Sequence, residues 1–373
     1  MIKKQVVVIG GGPSGMAAAI EAAKRGAEVL VVDSNGKAGG QLFKQIHKFF
    51  GSSAHRAGVR GIDIGTQLLA EAEEAGVEIW LNSLAIGLFD EKIIAVEIGG
   101  DDEEKRVVKV QAEKIIICSG ASENVVRFKG WTLPGVMGAG AAQTMVNINR
   151  VLPGQRVLMV GTGNVGLIVS YQLMQGGADV VALVDVAPKI GGYAVHASKI
   201  TRAGVPILTR HTVLEARGEE RVEQAVIVEV DENFKPIPGS EQTIDCDVIA
   251  IGAGLKPVAE LAAMYGCEMY FNPVQGGWVP LHNRSMETSC DGIYVAGDIT
   301  GVEEANTALE EGRLAGIDAA AKLGYITEAE AAEEQKAVWE RLYGLRLGPH
   351  GEKRHQAKMT QIEKFEEAMG GEK

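Results

Sequence analysis

Two apolar runs near the N-terminus enclose a stretch of small residues with helical spacing. The first run, Val6–Ile9, leads into a glycine-rich turn, and the alanine-rich stretch after it ends at Gly26. The second apolar run ends in Asp33. Short runs of β-branched residues bounded by turn residues are typical of buried strands. A helical stretch between two of them indicates a βαβ unit with parallel strands.

The same order of elements recurs in the middle of the chain. An apolar run over Gln155–Val160 is followed by a glycine-rich turn, a helical stretch over Leu167–Gln175 and a second apolar run that ends in Asp185. Gly161 stands 151 positions after Gly10. Because strand, turn, helix, strand and terminal acid all recur in register, the sequence predicts an internal duplication.

Each predicted unit continues into a meander of alternating apolar and polar residues, which is typical of antiparallel strands. The predicted strands cover 77–81, 85–89, 92–98 and 107–111 in the first unit, and 205–208, 213–216, 222–230 and 242–244 in the second. A buried strand then ends at Gly120 in the first unit and at Gly252 in the second. Further helices are predicted over 62–76, 304–323 and 327–343.

The glycine spacing in both turns matches the GxGxxG pattern that binds the pyrophosphate of a dinucleotide. In the first turn, Gly10 allows the tight bend, Gly12 lets the backbone approach the phosphates, and Gly15 lets the helix pack closely on the strand. The phosphates are then expected at the positive N-terminal end of the helix. The second turn offers the same three positions at Gly161, Gly163 and Gly166.

An acid ends the second strand of each unit. Asp33 stands 23 positions after Gly10, and Asp185 stands 24 positions after Gly161. A carboxylate at this point accepts hydrogen bonds from ribose hydroxyls and repels a 2′-phosphate. No arginine pair follows Asp185, where the sequence reads VAPK. The second unit is therefore predicted to prefer NAD(H) to NADP(H).

A late apolar run, Ile293–Ala296, carries Gly297 and Asp298 at its C-terminal end, ahead of a predicted helix. A carboxylate there suits a sugar or ribityl hydroxyl, and the helix N-terminus near Ala305 suits the partial negative charge on the edge of a flavin. The alternative is that Asp298 simply caps the helix.

The segment after Asp33 is a second place where backbone and ligand are expected to come close. Its pair Gly39–Gly40 leaves room for a ligand, and Gln41 offers an amide. The loop that follows carries polar residues that either reach a flavin or a substrate or are ordinary surface residues: His47, His55, Arg56 and Arg60.

Composition narrows the classes of function. The 373 residues suffice for two or three domains, and 46% hydrophobic with 23% charged residues is typical of a globular protein. A net charge of −12 argues against binding nucleic acid. Two acidic clusters, 101–104 and 219–220, are predicted at solvated hairpin tips. No apolar run is long enough for a membrane span and no signal peptide is recognised, so a cytoplasmic location is expected.

The four cysteines, Cys118, Cys246, Cys267 and Cys290, never form a CxxC, and the seven histidines show no metal-binding spacing. No metal site is therefore predicted. The better interpretation of Cys118 and Cys246 is that they are buried structural thiols.

Two dinucleotide units, the GGQL sequence at 39–42 and the late Gly297–Asp298 together resemble the two-dinucleotide-binding-domain flavoproteins, over roughly residues 1–325. Within that group, the GGQL sequence resembles the one found in thioredoxin reductases of low molecular weight, and their layout fits this chain. Those enzymes carry a redox CxxC in the second domain. Its absence from this chain disfavours disulfide reduction.

Three further stretches resemble the NAD/FAD subunits of amine dehydrogenase and oxidase complexes, a group that includes sarcosine oxidase alpha, dye-linked proline dehydrogenase, hydrogen cyanide synthase and opine oxidase. They are Leu133–Met137, the GAGAAQTMVN sequence that begins at Gly138, and EANTALEEGRLAG that begins at Glu304. The resemblance implies partner subunits that carry an iron–sulfur centre or a second flavin. Self-association into a homo-oligomer stays open.

The resemblance implies FAD in the first unit and NAD in its copy. The predicted fold class is α/β, with two Rossmann-like, three-layer ββα domains and the NAD domain inserted into the FAD domain. The expected boundaries are 1–122 and 256–326 for FAD, 123–255 for NAD, and 327–373 for a C-terminal helix and tail. For the stretch 345–373, a frayed tail and a helix that docks a partner are both compatible with the pattern.

The candidate cofactor-binding residues form two sets. Those for FAD are Gly10, Gly12, Pro13, Ser14, Gly15, Asp33, Gly40, Gln41, Leu42, Gly120, Gly297, Asp298 and Ala305. Those for NAD are Gly161, Gly163, Asn164, Val165, Gly166, Asp185 and Gly252.

The resulting hypothesis is an oxidoreductase that passes hydride between nicotinamide and flavin and exchanges electrons with a partner. Hydride transfer itself requires no protein acid or base, so no catalytic side chain is predicted. Two alternatives remain: a non-catalytic assembly subunit with structural nucleotides, and a stand-alone flavoenzyme of the thioredoxin reductase layout that acts on a small acceptor.

Overall fold

The computed structural model describes residues 1–100, 104–348 and 351–370. The strands in this part of the chain are β1 Ile2–Ile9, β2 Val29–Val32, β3 Glu78–Trp80, β4 Ser83–Phe89, β5 Ile93–Ile98, β6 Arg106–Ile117, β7 Ala121–Glu123, β8 Val136–Gly138, β9 Arg156–Val160, β10 Asp179–Asp185, β11 Ile207–Thr209, β12 His211–Arg217, β13 Gln224–Glu229, β14 Gln242–Asp245, β15 Val248–Ile251, β16 Leu255–Pro257, β17 Met269–Asn272, β18 Gly277–Pro280 and β19 Ile293–Val295. The helices are α1 Pro13–Lys24, α2 Gly61–Glu74, α3 Ala139–Thr144, α4 Asn164–Gln175, α5 Ala194–Arg202, α6 Glu260–Met264, α7 Ala305–Lys322, α8 Glu328–Leu345 and α9 Glu352–Gly370.

The chain divides into two compact units. The first combines residues 1–122 with 256–373, and the second comprises 123–255. Each unit contains a sheet with a parallel core that is packed with helices, which confirms the predicted α/β class. In the first unit the antiparallel strands β4 and β5 extend this sheet.

The first unit is built on a sheet with the order β3-β2-β1-β6-β5-β4, in which β19 also pairs with β6. Strands β1, β2 and β3 run parallel, and β1 and β19 run parallel to β6. The small side chains of Ala17, Ala18 and Ala19 on α1 are buried in the core. A small-residue helix can therefore lie close to the sheet.

Strand β6 differs from the sequence prediction, which placed two strands in this region. One strand of 12 residues runs through both. Its first part pairs antiparallel with β5, and its last three residues pair parallel with β19. The switch of partner along one strand explains why its apolar pattern changes from alternating to continuous.

The second unit has a parallel sheet with the order β11-β10-β9-β15-β8 and a separate antiparallel sheet of β12, β13 and β14. The prediction that 205–208 belongs to the meander was wrong. Strand β11 pairs parallel with β10, because helix α5 provides the crossover that parallel strands require.

Of the acidic clusters, residues 101–103 lie outside the described part of the chain, and Glu219–Glu220 are exposed between β12 and β13. Helix α8 begins with the predicted capping box of Thr327 and Glu330. Helix α9 occupies most of the stretch that the sequence left open, although residues 349–350 and 371–373 are outside the description. None of the described helices is both long and apolar enough to span a membrane.

Candidate functional site

The first glycine turn joins β1 to α1 and fits only glycine at two positions. Gly10 has φ +101°, and a Cβ there would lie 2.3 Å from the carbonyl oxygen of Cys118. A Cβ on Gly15 would lie 1.8 Å from the carbonyl oxygen of Gly10. Both distances are far inside van der Waals contact, so these glycines are needed for the close packing of strand, turn and helix.

Gly12 is a glycine for a different reason. Its backbone is extended, with φ −74° and ψ −172°, a conformation that any residue adopts. No atom of the described residues lies within 4 Å of a Cβ built there. Helix α1 starts at Pro13, and none of the described side chains caps it. The positive end of the helix therefore opens onto free space, which fits a pyrophosphate.

The second glycine turn reproduces this geometry between β9 and α4. Gly161 has φ +111°, and its Cβ would lie 2.3 Å from the carbonyl oxygen of Gly252. A Cβ on Gly166 would lie 2.1 Å from the carbonyl oxygen of Gly161. Gly163 has free space in front of it as far as the described atoms show. The backbone of Gly252 therefore lies against the second turn as the backbone of Cys118 lies against the first. The sequence did not suggest this contact for Cys118.

Helix α4 starts at Asn164 without a side-chain cap from the described residues. Val165 is exposed in its first turn. The Asn164 side chain accepts a hydrogen bond at 2.8 Å from the backbone N–H of Tyr193, so it braces the loop that follows β10.

The acids after β2 and β10 are held by donors of their own turns. Asp33 accepts hydrogen bonds from the Gly11 backbone N–H at 2.7 Å and from both nitrogens of Asn35 at 2.8 Å. Asp185 accepts from the backbone and hydroxyl of Thr162, both at 2.7 Å, and from the Ala187 backbone at 2.9 Å. A carboxylate offers about four acceptor positions, so each acid retains capacity for a ribose hydroxyl.

Strand β19 returns the chain to the first glycine turn. Gly297 has φ +80°, and a Cβ there would lie 2.6 Å from the hydroxyl of Ser14 on α1. Asp298 follows, half-buried. Loss of hydration raises its pKa from 3.8 to about 7, and the neighbouring carboxylates of Glu311 and Glu303 add to the shift. The carboxyl of Asp298 therefore titrates near neutral pH.

Helix α7 begins at Ala305, and no described side chain caps it. Asn306 in its first turn is 8% exposed and donates to the carbonyl oxygen of Phe50 at 2.7 Å. Its other amide atom, Oδ1, is buried and has no hydrogen-bond partner among the described residues. An orphaned buried acceptor at a helix N-terminus fits a bound ligand that carries an N–H or O–H group.

The GGQL segment lies against the first turn. A Cβ on Gly40 would lie 2.9 Å from the Cα of Gly12, and the Gly39 N–H bonds to the Gly11 carbonyl at 2.6 Å. Gln41 is exposed and Leu42 is fully buried in the core, so only Gln41 is free to meet a ligand. Gly120, with φ +76°, has open space in front of it within the described structure.

Side chains of the polar loop before α2 form hydrogen bonds and ion pairs with neighbouring residues of the first unit. His55 is 3% exposed and bonds to Ser52 and Glu310, each at 3.0 Å. Arg56 pairs with Glu71, and Arg60 pairs with Asp63 at 2.9 Å. These contacts support the structural interpretation of the three residues. His47 stacks on Phe49, with ring centroids 5.9 Å apart.

Comparison with known proteins agrees with this arrangement. The model of the pyridine nucleotide-disulphide oxidoreductase family matches residues 4–312. An opine oxidase subunit from Agrobacterium tumefaciens is 29% identical over 89% of this chain and 68% of its own length. Hydrogen cyanide synthase subunit HcnB of Pseudomonas aeruginosa is 26% identical over 94% of this chain and 78% of its own length.

Among solved structures, thioredoxin reductase of T. acidophilum aligns with a TM-score of 0.68 at 19% identity, covering 87% of this chain and 99% of that one. The likeness shows a shared fold. The resemblance read from the glycine turns and from the GGQL sequence is thereby confirmed.

The matched stretch contains both glycine turns, both terminal acids and the return strand with Asp298. The family is one of FAD-binding oxidoreductases. The chain belongs to the pyridine nucleotide-disulphide oxidoreductase family and is an oxidoreductase.

Proposed function

We propose that this protein is an FAD-containing, NAD(H)-linked oxidoreductase that exchanges electrons with a partner subunit, within a complex of the amine or amino-acid dehydrogenase type. The two glycine turns carry the proposal, because the chain contains the same pyrophosphate cradle twice. Gly12 and Gly163 are both extended, both free of described neighbours, and both placed at the start of an uncapped helix.

The first unit is proposed to hold FAD. The α1 N-terminus would bind the pyrophosphate, Asp33 the adenosine ribose, and Asp298 a ribityl hydroxyl. The uncapped N-terminus of α7 and the orphaned Asn306 Oδ1 suit the polar edge of a flavin. When bound, the flavin supplies the hydride acceptor or donor, so the protein contributes position and electrostatics.

The second unit is proposed to hold NAD(H). The Asp185 carboxylate lies at the end of β10 and has capacity for a ribose hydroxyl beside its three backbone and side-chain donors. A 2′-phosphate would meet this carboxylate at short range. The same acid therefore favours NAD(H) over NADP(H).

Three of the four cysteines do not favour thiol chemistry. Cys118, Cys246 and Cys267 are buried, and desolvation raises the pKa of each thiol to about 12. The thiolate is the reactive form, so these thiols are poor nucleophiles at neutral pH. Together with the absence of a CxxC from the sequence, this supports an electron acceptor other than a disulfide of this chain.

A partner is proposed because the similar curated proteins are themselves subunits of opine oxidase and hydrogen cyanide synthase. An iron–sulfur protein or a second flavoprotein would match the chemistry, since either accepts electrons from a reduced flavin. Affinity purification from the native host, followed by iron and flavin analysis, tests this part.

Anaerobic titration with NADH tests the function itself. The purified chain is expected to bind one flavin, and its visible absorption is expected to bleach on addition of NADH but far less on addition of NADPH. A bound flavin that stays oxidised with both nucleotides would contradict the proposal and favour an assembly subunit with structural nucleotides.

A further inference from the structure

A buried carboxylate lies directly behind the turn that carries Asp298. Glu311 on α7 is 3% exposed. Its Oε2 accepts hydrogen bonds from the Gly297 N–H at 3.1 Å and from the Thr300 hydroxyl at 2.9 Å. It thus holds both ends of the turn between β19 and the loop that leads to α7, a segment we call the Asp298 turn, residues 297–301.

Lys358 of α9 reaches the same place from the C-terminal part of the chain. It is 1% exposed, and its ammonium donates to the carbonyl oxygen of Thr300 at 2.8 Å and to the Thr300 hydroxyl oxygen at 2.5 Å. The ammonium also lies 3.1 Å from Oε1 of Glu311. A lysine has three N–H donors, so this site uses all of them.

Arg346, just after α8, adds a second buried cation. Its guanidinium bonds to Glu303 at 2.8 and 2.9 Å and to Glu311 at 2.8 Å. Lys358 and Arg346 both lie beyond residue 312, where the match to the family model ends. The positive charge beside the turn is therefore supplied by helices outside the matched region.

Titratable groups from several elements surround Glu311. Desolvation opposes its ionisation, but Lys358 and Arg346, together with the hydrogen bond from the Thr300 hydroxyl, hold the pKa of Glu311 below its ordinary value. Burial, with Lys358 nearby, lowers the pKa of His282 to about 3, so this histidine is neutral. The other acids at the turn are Asp298, Glu303 and Glu304. Arg354 of α9 lies 4.0 Å from Glu304, so among the described residues Lys358 and Arg346 are the cations that pair directly with Glu311.

We propose that Lys358 is a positioning residue for the flavin: by neutralising Glu311 and holding both oxygens of Thr300, it fixes the Asp298 turn in the conformation that binds FAD. Helix α9 is then a built-in part of the cofactor site, and not a free arm for a partner. The proposal rests on the assignment of FAD to the first unit.

The test compares FAD affinity of the flavin-free full chain with and without Lys358. Lys358→Met keeps an unbranched side chain of similar length but removes its positive charge. The buried carboxylate of Glu311 then has one cation fewer beside it. We expect FAD affinity to fall at least tenfold near pH 8 (about 1.4 kcal/mol for each factor of ten). Removal of the ammonium raises the pKa of Glu311, so the loss is expected to ease as the pH is lowered toward that pKa.

Glu311→Gln is expected to show the opposite pH dependence of FAD affinity. Here the ammonium of Lys358 is left with one acidic partner fewer, so its charged form is disfavoured. The loss of FAD affinity is expected to be largest at low pH and to ease as pH rises. The double variant Lys358→Met/Glu311→Gln removes both charges together and is expected to recover most of the affinity.

Lys364→Met is the matched control, because this lysine of the same helix is 46% exposed and pairs at the surface with Glu367, at 2.7 Å. It is expected to bind FAD like the parent. Should Lys358→Met not fold, Glu311→Gln and the double variant carry the comparison.

Parent-like FAD affinity in Lys358→Met would overturn the inference, as would a loss that is equal at every pH and is not repaired by Glu311→Gln. Either result leaves the proposed function standing, provided that the parent chain binds flavin and is bleached by NADH. A parent chain that binds no flavin would instead remove the proposed function.

Discussion

Asp33 and Asp185 are the residues on which the proposed recognition of each nucleotide depends. Each carboxylate is oriented by the backbone N–H of the middle of its glycine turn, at 2.7 Å, so turn and acid form one rigid piece. Because the acid is fixed before a ligand arrives, ribose recognition costs little conformational entropy. The position of the acid is read from sequence, whereas its orientation comes from the folded turn.

Replacing Asp185 tests the choice of nucleotide. Asp185→Asn keeps the shape but removes the charge and one acceptor oxygen. We expect NADH to bind about tenfold more weakly, and the preference over NADPH to shrink, as measured by the dissociation constant of each nucleotide. Asp179→Asn, an exposed position on the same strand, is the control. An unchanged preference would show that Asp185 does not meet the ribose.

Asp298 predicts a pH dependence of stability for the flavin-free chain. Its pKa is about 7 when folded and 3.8 ordinarily, so the folded state retains the proton at acidic pH. Stability from this group is therefore present below pH 4 and is lost as the pH rises through 7. His282, with its pKa lowered to about 3, gives a slope of opposite sign below its usual 6.5.

Comparing Asp298→Asn with the parent isolates the carboxyl, because His282 is the same in both. The melting temperature of the parent is expected to fall relative to that of the variant between pH 5 and pH 8. Parallel curves over this range would mean that the carboxyl is ionised throughout.

Helices α1 and α7 pack with their backbones close together in the first unit. A Cβ on Gly312 would lie 2.1 Å from the carbonyl oxygen of Ser14, and one on Gly316 would lie 2.3 Å from that of Ala18. The two glycines, one turn apart, let the backbones touch, so α7 fixes the helix that starts at the first glycine turn.

Gly316→Ala is expected to destabilise the chain by about 1–3 kcal/mol, because the backbones must separate and this outweighs the gain in helix propensity of about 1 kcal/mol. Gly344→Ala in α8 is the matched control, since no described atom lies within 4 Å of its Cβ. It is expected to be neutral or slightly stabilising in urea unfolding. Equal effects of the two changes would refute the close packing.

Several elements depend on contacts that no local pattern reveals. Helix α5 and the hairpin of β17 and β18 were missed, because they are short and only partly buried. Strand β11 was predicted as a strand but was assigned to the wrong sheet. The long helices α1, α4 and α7 were recognised, since their small or apolar residues recur over three turns or more.

At the scale of the whole molecule, the two compact units predict two independent nucleotide sites. Gly12→Val and Gly163→Val form a matched pair, because both backbones are extended and both Cβ positions are open among the described atoms. Each valine should leave its unit folded while filling the space proposed for a pyrophosphate.

In Gly12→Val the affinity for FAD is expected to fall at least tenfold while the affinity for NADH is unchanged. In Gly163→Val the affinity for NADH is expected to fall at least tenfold while the affinity for FAD is unchanged (about 1.4 kcal/mol or more in each case). Flavin absorption and NADH fluorescence titration measure the two separately. Loss of both ligands from either variant would contradict independent sites.

The sequence by itself determined the duplicated βαβ unit, the spacing of the glycines in each turn and the position of each terminal acid, because these depend on spacing within about 30 residues. It also indicated the family. Tertiary structure alone decided that the backbones of Cys118 and Gly252 lie against the two glycine turns and that Leu42 belongs to the core. It also decided that α9 places Lys358 against Glu311. Those contacts join residues far apart in the chain, and their energy comes from burial and charge pairing that no local pattern encodes.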